Sequence, residues 1–145
     1  MLSHAEFRSD AFQAYPDEEA EINPGRFGKR LAEFLKAGLD SFDTSTEDLI
    51  AEDWGWILPI VNPEFSLFVG VGNYEEYPDG FLVFIEPSKP RIRRLPKFWK
   101  TLDVSRVVSA LQAQLNDILE ASPDVRDLKW STAEEFNNPV PSDDA

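Results

Sequence analysis

Hydrophobic residues recur along this chain at two spacings, and each spacing predicts one kind of secondary structure. A spacing of three and four residues, typical of an amphipathic helix, joins Phe27, Leu31, Phe34, Leu35 and Leu39. Asn23-Pro24-Gly25 precedes this stripe and predicts the helix start, with asparagine as the cap and proline in the first turn. A second stripe predicts a helix that begins at Asp103 and ends before Ser122; it consists of Val104, Val107, Val108, Leu111, Leu115, Ile118 and Leu119.

Short apolar segments between the two stripes predict strands at 54–61, 65–72 and 81–86. Their connections are short, and Pro78-Asp79-Gly80 has the composition of a turn, so the three strands predict an antiparallel meander. Segments 5–15 and 125–131 add one candidate strand at each end. The expected fold is therefore α+β, an antiparallel sheet of about four to five strands with two helices packed on one face.

The length of 145 residues suits one domain, which we expect to span residues 1–136. Residues 137–145 contain two prolines and two acidic residues, and this composition predicts a frayed acidic tail. The amino-terminal residues lack the pattern of a signal peptide, and no apolar segment approaches the length of a membrane span. These features predict a soluble, cytoplasmic protein.

Acidic residues outnumber basic ones by 27 to 14, which gives a formal net charge of −13. This balance disfavours binding to nucleic acid or to anionic lipid. Segment 89–102 departs from the trend because it carries six basic residues and no acid. The named candidates in this basic patch are Arg91, Arg93, Arg94, Lys97 and Trp99. Two interpretations are favoured: pairing with the acidic first half of the same chain, or with a second copy in a dimer. Nucleic-acid binding through residues 89–100 is a third interpretation, which the net charge disfavours.

Several kinds of chemistry lack their residues in this chain. The absence of cysteine excludes disulfides, thiolate zinc sites and a cysteine nucleophile, and a single histidine excludes histidine zinc motifs. Gly70-Val71-Gly72 lacks the third glycine and the following helix of a dinucleotide-binding loop. We therefore expect no metal and no cofactor.

The pentapeptide Glu52-Asp53-Trp54-Gly55-Trp56 is the most unusual local sequence. Alternation along a strand would place Trp54 and Trp56 on the same face, with Glu52 beside them. One interpretation is an aromatic shelf that binds a ligand or cation and supplies Glu52 or Asp53 to a small hydrolase. The other interpretation places both rings in the core.

A second candidate recognition element is the loop in which Tyr74 and Tyr77 flank two glutamates. Tyrosines in a loop between strands suit binding better than catalysis. With the acidic surface, they favour a non-enzymatic protein-binding or regulatory module, for example a toxin-neutralising or self-associating protein.

Two motifs together resemble a known group of proteins. Asn23-Pro24-Gly25 with Gly28-Lys29 and Leu31-Ala32, followed by the Trp54 pentapeptide, is similar to the arrangement "NPG-x-x-GK-x-LA … EDWGW". This arrangement occurs in a group of small uncharacterised bacterial proteins with a short α+β domain, and the resemblance covers roughly residues 5–87. It implies a bacterial, cytoplasmic protein and assigns no catalytic residue.

Overall fold

The computed structural model describes residues 1–90 and 97–138, and for residues 88–90 and 97–103 it describes the backbone alone. In chain order the elements are β1 (Leu2–Arg8), α1 (Glu18–Glu21), α2 (Lys29–Ser41), β2 (Ile50–Glu52), β3 (Gly55–Ile60), β4 (Phe65–Tyr74), β5 (Tyr77–Pro90), α3 (Lys97–Glu120), β6 (Arg126–Thr132) and α4 (Ala133–Asn137).

The strands form one six-stranded sheet in the order β2-β3-β4-β5-β1-β6, and every neighbouring pair is antiparallel. Strands β2 to β5 are consecutive hairpins, as the meander predicts. The amino-terminal strand β1 then pairs with β5 and receives β6 on its other side. The α+β class, the antiparallel sheet and the two long helices are therefore confirmed. The sheet exceeds the predicted four to five strands because β2 forms a separate short edge strand.

Alternate strand residues build the core between the sheet and the two long helices. Ala5, Val69, Val71 and Val83 are fully buried on this face, together with Leu31, Leu35 and Leu39 of α2 and Leu115 and Leu119 of α3. The helices approach closely at Gly38, where an added Cβ would lie 2.8 Å from the Ile118 side chain. Both amphipathic stripes therefore face the core, which is the arrangement that their spacing predicts.

Several predicted boundaries were wrong. Pro78-Asp79-Gly80, predicted to be a turn, lies inside β5, and the turn between β4 and β5 consists of Glu75 and Glu76. Helix α3 begins at Lys97, so Asp103 lies inside the helix and does not cap it. Helix α2 begins at Lys29 and not at Pro24, and the N–H groups of Gly28 and Lys29 at its start donate to the Glu18 carboxylate. The Asn23 side chain donates to the Asp53 carbonyl and does not cap the helix. Strand β1 ends at Arg8, well before Tyr15, and the short helix α1 follows it. In the part of the chain that the structure describes, no helix has the length and apolarity to span a membrane.

Candidate binding face

Glu18 in α1 joins the two sequence motifs of the resemblance. Its side chain is 3% exposed, and its carboxylate accepts hydrogen bonds from the backbone N–H groups of Tyr15 (3.0 Å), Gly28 (2.7 Å) and Lys29 (2.7 Å). The indole Nε1 of Trp56 donates a fourth bond at 2.8 Å. The carboxylate thus satisfies unpaired donors at the start of α2, where negative charge is also favoured by the helix dipole.

The expectation that Trp54 and Trp56 share one face was wrong. Trp54 lies in the turn between β2 and β3, so strand alternation does not apply to it. Trp56 is 4% exposed and belongs to the core, whereas the Trp54 ring packs on Phe84, with centroids 5.3 Å apart. Phe84 alternates with the core residues Val83 and Ile85 and therefore lies on the opposite face of the sheet. The interpretation that places both rings in the core thus holds for Trp56 but not for Trp54.

The two acids of the pentapeptide do not form a cleft with these rings. Glu52 and Asp53 are both exposed, and neither lines the hollow beside Trp54. The Asp53 backbone carbonyl accepts the Asn23 side-chain bond at 2.9 Å, which ties the turn to the loop before α2. This geometry gives no support to Glu52 and Asp53 as an acid–base pair.

We call the side of the sheet opposite α2 and α3 the outer face. An aromatic row crosses it, from Trp54 through Phe84 and His4 to Phe136 of α4. The His4 ring stacks on Phe84 at 5.6 Å and on Phe136 at 4.6 Å, and Phe68 meets Phe84 edge-on at 6.1 Å. Trp54, Phe68, Phe84 and Phe136 are each half-buried. The row therefore leaves part of its aromatic surface accessible within the described residues.

A glycine makes this row possible. Gly70 is the direct cross-strand partner of Phe84, and a Cβ at Gly70 would lie 2.2 Å from the Phe84 ring. The ring therefore lies flat across the Gly70 backbone, where it bridges the space between Trp54 and His4.

A hollow of about 440 Å³ opens on the outer face beside Trp54. Its walls combine aromatic and aliphatic side chains with charged ones: Arg26, Trp54, Tyr74, Glu75, Glu76, Leu82 and Phe84, with Gly72 and Asn73 at the base. This volume lies within the range of about 300–1,000 Å³ that is common for ligand pockets. The Arg26 side chain pairs with Glu75 at 3.1 Å at its rim.

Hydrogen bonds hold this hollow in shape. The buried Asn73 side chain accepts from the Phe27 N–H (3.0 Å) and donates to the Gly25 carbonyl (2.9 Å), so the loop before α2 is fixed against β4. The Tyr74 hydroxyl donates to the Glu6 carboxylate at 2.6 Å. Burial, and then this bond, raise the pKa of the Tyr74 phenol well above its ordinary value, so it remains a neutral donor.

The structure thus brings Trp54 and Tyr74 into one site, and the described candidates Glu52, Asp53, Trp56 and Tyr77 do not line it. Tyr77 is 48% exposed; its ring meets Tyr74 edge-on at 6.4 Å and carries the Arg8 guanidinium 4.3 Å above it. Of the basic patch, Arg91, Arg93 and Arg94 lie outside the described residues. Lys97 and Trp99 lie in α3, where only the backbone is described.

The sequence patterns did not identify Phe68, Phe84 and Phe136 as members of the outer face, although one signal was present. Segment 81–85 is apolar at every position, whereas a strand with one solvated face alternates apolar with polar residues. The continuous run therefore indicated that both faces of β5 contact apolar groups. Glu18 offered no such signal, because it lies within a run of acidic residues.

His4 provides a test of the aromatic row. Burial lowers the pKa of its imidazole from the ordinary value of 6.5, and the nearby Glu86 and Glu6 carboxylates oppose this only in part. The unfolded chain therefore binds the proton more readily than the folded chain. The contribution of neutral His4 to the free energy of unfolding is fully present above pH 6.5 and decreases as the pH drops below this value. We expect the urea concentration at the unfolding midpoint of the wild type to decrease when the pH is lowered from 7.5 to 5.5. In His4→Phe, which keeps a stacking ring without a titrating group, the midpoint falls less; equal pH dependence in both proteins would contradict this role.

The described residues contain no cluster of three or more histidine, aspartate or glutamate side chains that could hold a metal ion. Comparison with known proteins adds no assignment: no protein-family model, no curated protein and no solved structure matches this chain.

Proposed function

We propose that this chain is a non-enzymatic protein-binding module that docks a basic partner protein on its outer face. The observation that carries the proposal is the half-buried aromatic row from Trp54 to Phe136, on the side of the sheet opposite the two long helices. Accessible aromatic clusters of this kind are typical of binding interfaces and of their strongest contact residues.

Charge supports a basic partner. The outer face carries Glu6 and Glu86 in addition to Glu75 and Glu76 of the hollow. Arg8 and Lys129 lie on the same face and offset part of this charge, but the whole chain has a net charge of −13. Such a field attracts a basic protein and raises its association rate, whereas it repels a second copy of the same chain. Neutralisation of a basic toxin would be one function of this class.

An enzymatic role for the same surface has weaker support. Several of its polar groups are engaged in structural bonds: Tyr74 with Glu6, Arg26 with Glu75, and Asn73 with the loop before α2. The carboxylates proposed for hydrolysis, Glu52 and Asp53, lie outside the hollow. The geometry therefore favours recognition over catalysis.

Capture from a lysate of the source organism tests this function with two variants that each add one acid. Phe68→Glu places the charge on the aromatic row, and Ala113→Glu places it on the exposed side of α3. We expect wild type and Ala113→Glu to capture the same basic protein. Phe68→Glu should bind it at least tenfold more weakly, which corresponds to a loss of about 1.4 kcal/mol in binding free energy. Circular dichroism checks that Phe68→Glu is folded.

Two results would contradict the proposal. Equal capture by all three proteins would show that the partner binds elsewhere. A stable dimer in sedimentation experiments, disrupted by Phe68→Glu and with no basic protein captured, would show that the outer face serves self-association instead.

A further inference from the structure

We infer that the hollow beside Trp54 is a seat for an arginine side chain of the partner protein. This inference rests on the proposed function and names the chemical group that the site recognises. Two observations support it. Cations of this chain lie over aromatic rings beside carboxylates, and no described cation lies over the Trp54 ring in the hollow.

Cations of this chain repeatedly lie over an aromatic ring that is close to a carboxylate. The Arg8 guanidinium lies 4.3 Å above Tyr77 and pairs with Asp79 at 3.2 Å. The Lys29 ammonium lies 5.1 Å from the Trp56 ring, whose indole N–H is bound by Glu18. Attraction between a cation and a ring face is strengthened when a carboxylate accepts the N–H groups of the cation.

The hollow has the ring and the carboxylates of this arrangement, but Arg26, a cation that lines it, does not lie over the ring. Trp54, the best ring for a cation, forms one wall, and Glu75 and Glu76 form part of the rim. Arg26 is engaged with Glu75 and the Asn73 carbonyl. Among the described residues, no basic group lies over the Trp54 ring or within ion-pair distance of Glu76.

Arginine fits this hollow better than lysine. A planar guanidinium stacks on the indole with its face and donates N–H groups from its edge, whereas an ammonium is a compact, strongly hydrated point charge. The walls are fixed before binding, since Trp54 packs on Phe84 and Tyr74 is held by Glu6. Fixed walls reduce the ordering cost of binding.

Nuclear magnetic resonance with the full chain tests the seat directly. The probes are blocked tripeptides, alanine–X–alanine, in which X is arginine, lysine or citrulline, the neutral isostere of arginine. We expect the arginine peptide to shift the Trp54 indole and Gly72 amide signals and to bind with a Kd on the order of 1 mM. Binding of the lysine peptide should be several-fold weaker, and citrulline should give no saturable shift.

Two glutamate variants identify the carboxylate. Glu76→Gln removes a charge at the hollow, and Glu120→Gln removes an exposed charge at the end of α3, on the opposite side of the sheet. We expect Glu76→Gln to weaken the arginine peptide about fivefold or more and Glu120→Gln to change its Kd less than twofold. Equal affinity for arginine and citrulline, or equal effects of the two variants, would overturn the seat.

The two proposals fail separately. A basic partner that depends on Phe68, combined with no peptide shift at Trp54, would leave the docking face in place and eliminate the arginine seat. Peptide binding at Trp54 without any partner sensitive to Phe68→Glu would retain the seat and contradict the proposed function.

Discussion

Glu18→Ala should lower the free energy of unfolding by about 3–5 kcal/mol, the largest loss that we expect from any single substitution on an acidic residue. The four N–H donors that its carboxylate accepts lose their buried partner, and each unsatisfied buried donor costs about 1–3 kcal/mol. Partial entry of water reduces the sum. Urea unfolding followed by circular dichroism measures the change.

Glu19→Ala is the matched control, because Glu19 is exposed in the same short helix. We expect its effect to stay within about 0.5 kcal/mol, as is usual for surface positions. Glu18→Gln should fall between the two, since an amide keeps one acceptor oxygen but directs N–H groups at other donors. Equal losses in Glu18→Ala and Glu19→Ala would show that the carboxylate does not hold the two motifs together.

Gly55→Ala should destabilise the protein by about 2–3 kcal/mol, through overpacking against backbone. An added Cβ would lie 2.2 Å from the Val71 carbonyl oxygen and 3.1 Å from the Gly72 Cα. Neither atom belongs to a side chain that could rotate away, so the β2–β3 turn must shift from β4. This shift would also move Trp54 away from Phe84.

Gly25→Ala separates this steric effect from ordinary backbone strain. Gly25 has a φ of 79° but nothing lies within 4 Å of an added Cβ, so we expect a cost of about 1 kcal/mol from conformation alone. In nuclear magnetic resonance spectra, the chemical shift of the Trp54 indole N–H should change in Gly55→Ala and stay the same in Gly25→Ala. A larger loss of stability in Gly25→Ala than in Gly55→Ala would contradict the close approach.

The elements that follow a regular spacing could be predicted from the sequence, and those fixed by distant contacts could not. The stripes of α2 and α3 and the apolar runs of β3, β4 and β5 reveal the α+β class, because burial on one side imposes a period. The start of α2 was misplaced because its first N–H groups donate to Glu18, which lies ten residues earlier and outside any local capping pattern. Burial of Glu18 likewise depends on Trp56, which is distant along the chain.

The candidate site shows the same division. Trp54 and Tyr74 could be named from their unusual local sequences, and both line the hollow. Alternation failed for the two tryptophans because a turn separates Trp54 from the strand that contains Trp56. The partners that complete the outer face, Phe84 and His4, lie on strands that only the antiparallel pairing of β1 with β5 brings together.

The most direct test of the central claim, that the outer face is the docking surface, is site-specific photo-crosslinking with benzoylphenylalanine. One probe replaces Leu82, which lines the hollow, and the other replaces Ala113 on the exposed side of α3. In a lysate of the source organism, we expect the Leu82 probe to form a crosslink to a basic protein, within a segment that contains arginine, and the Ala113 probe to form none. A crosslink to the same protein from Ala113 but not from Leu82 would contradict the claim.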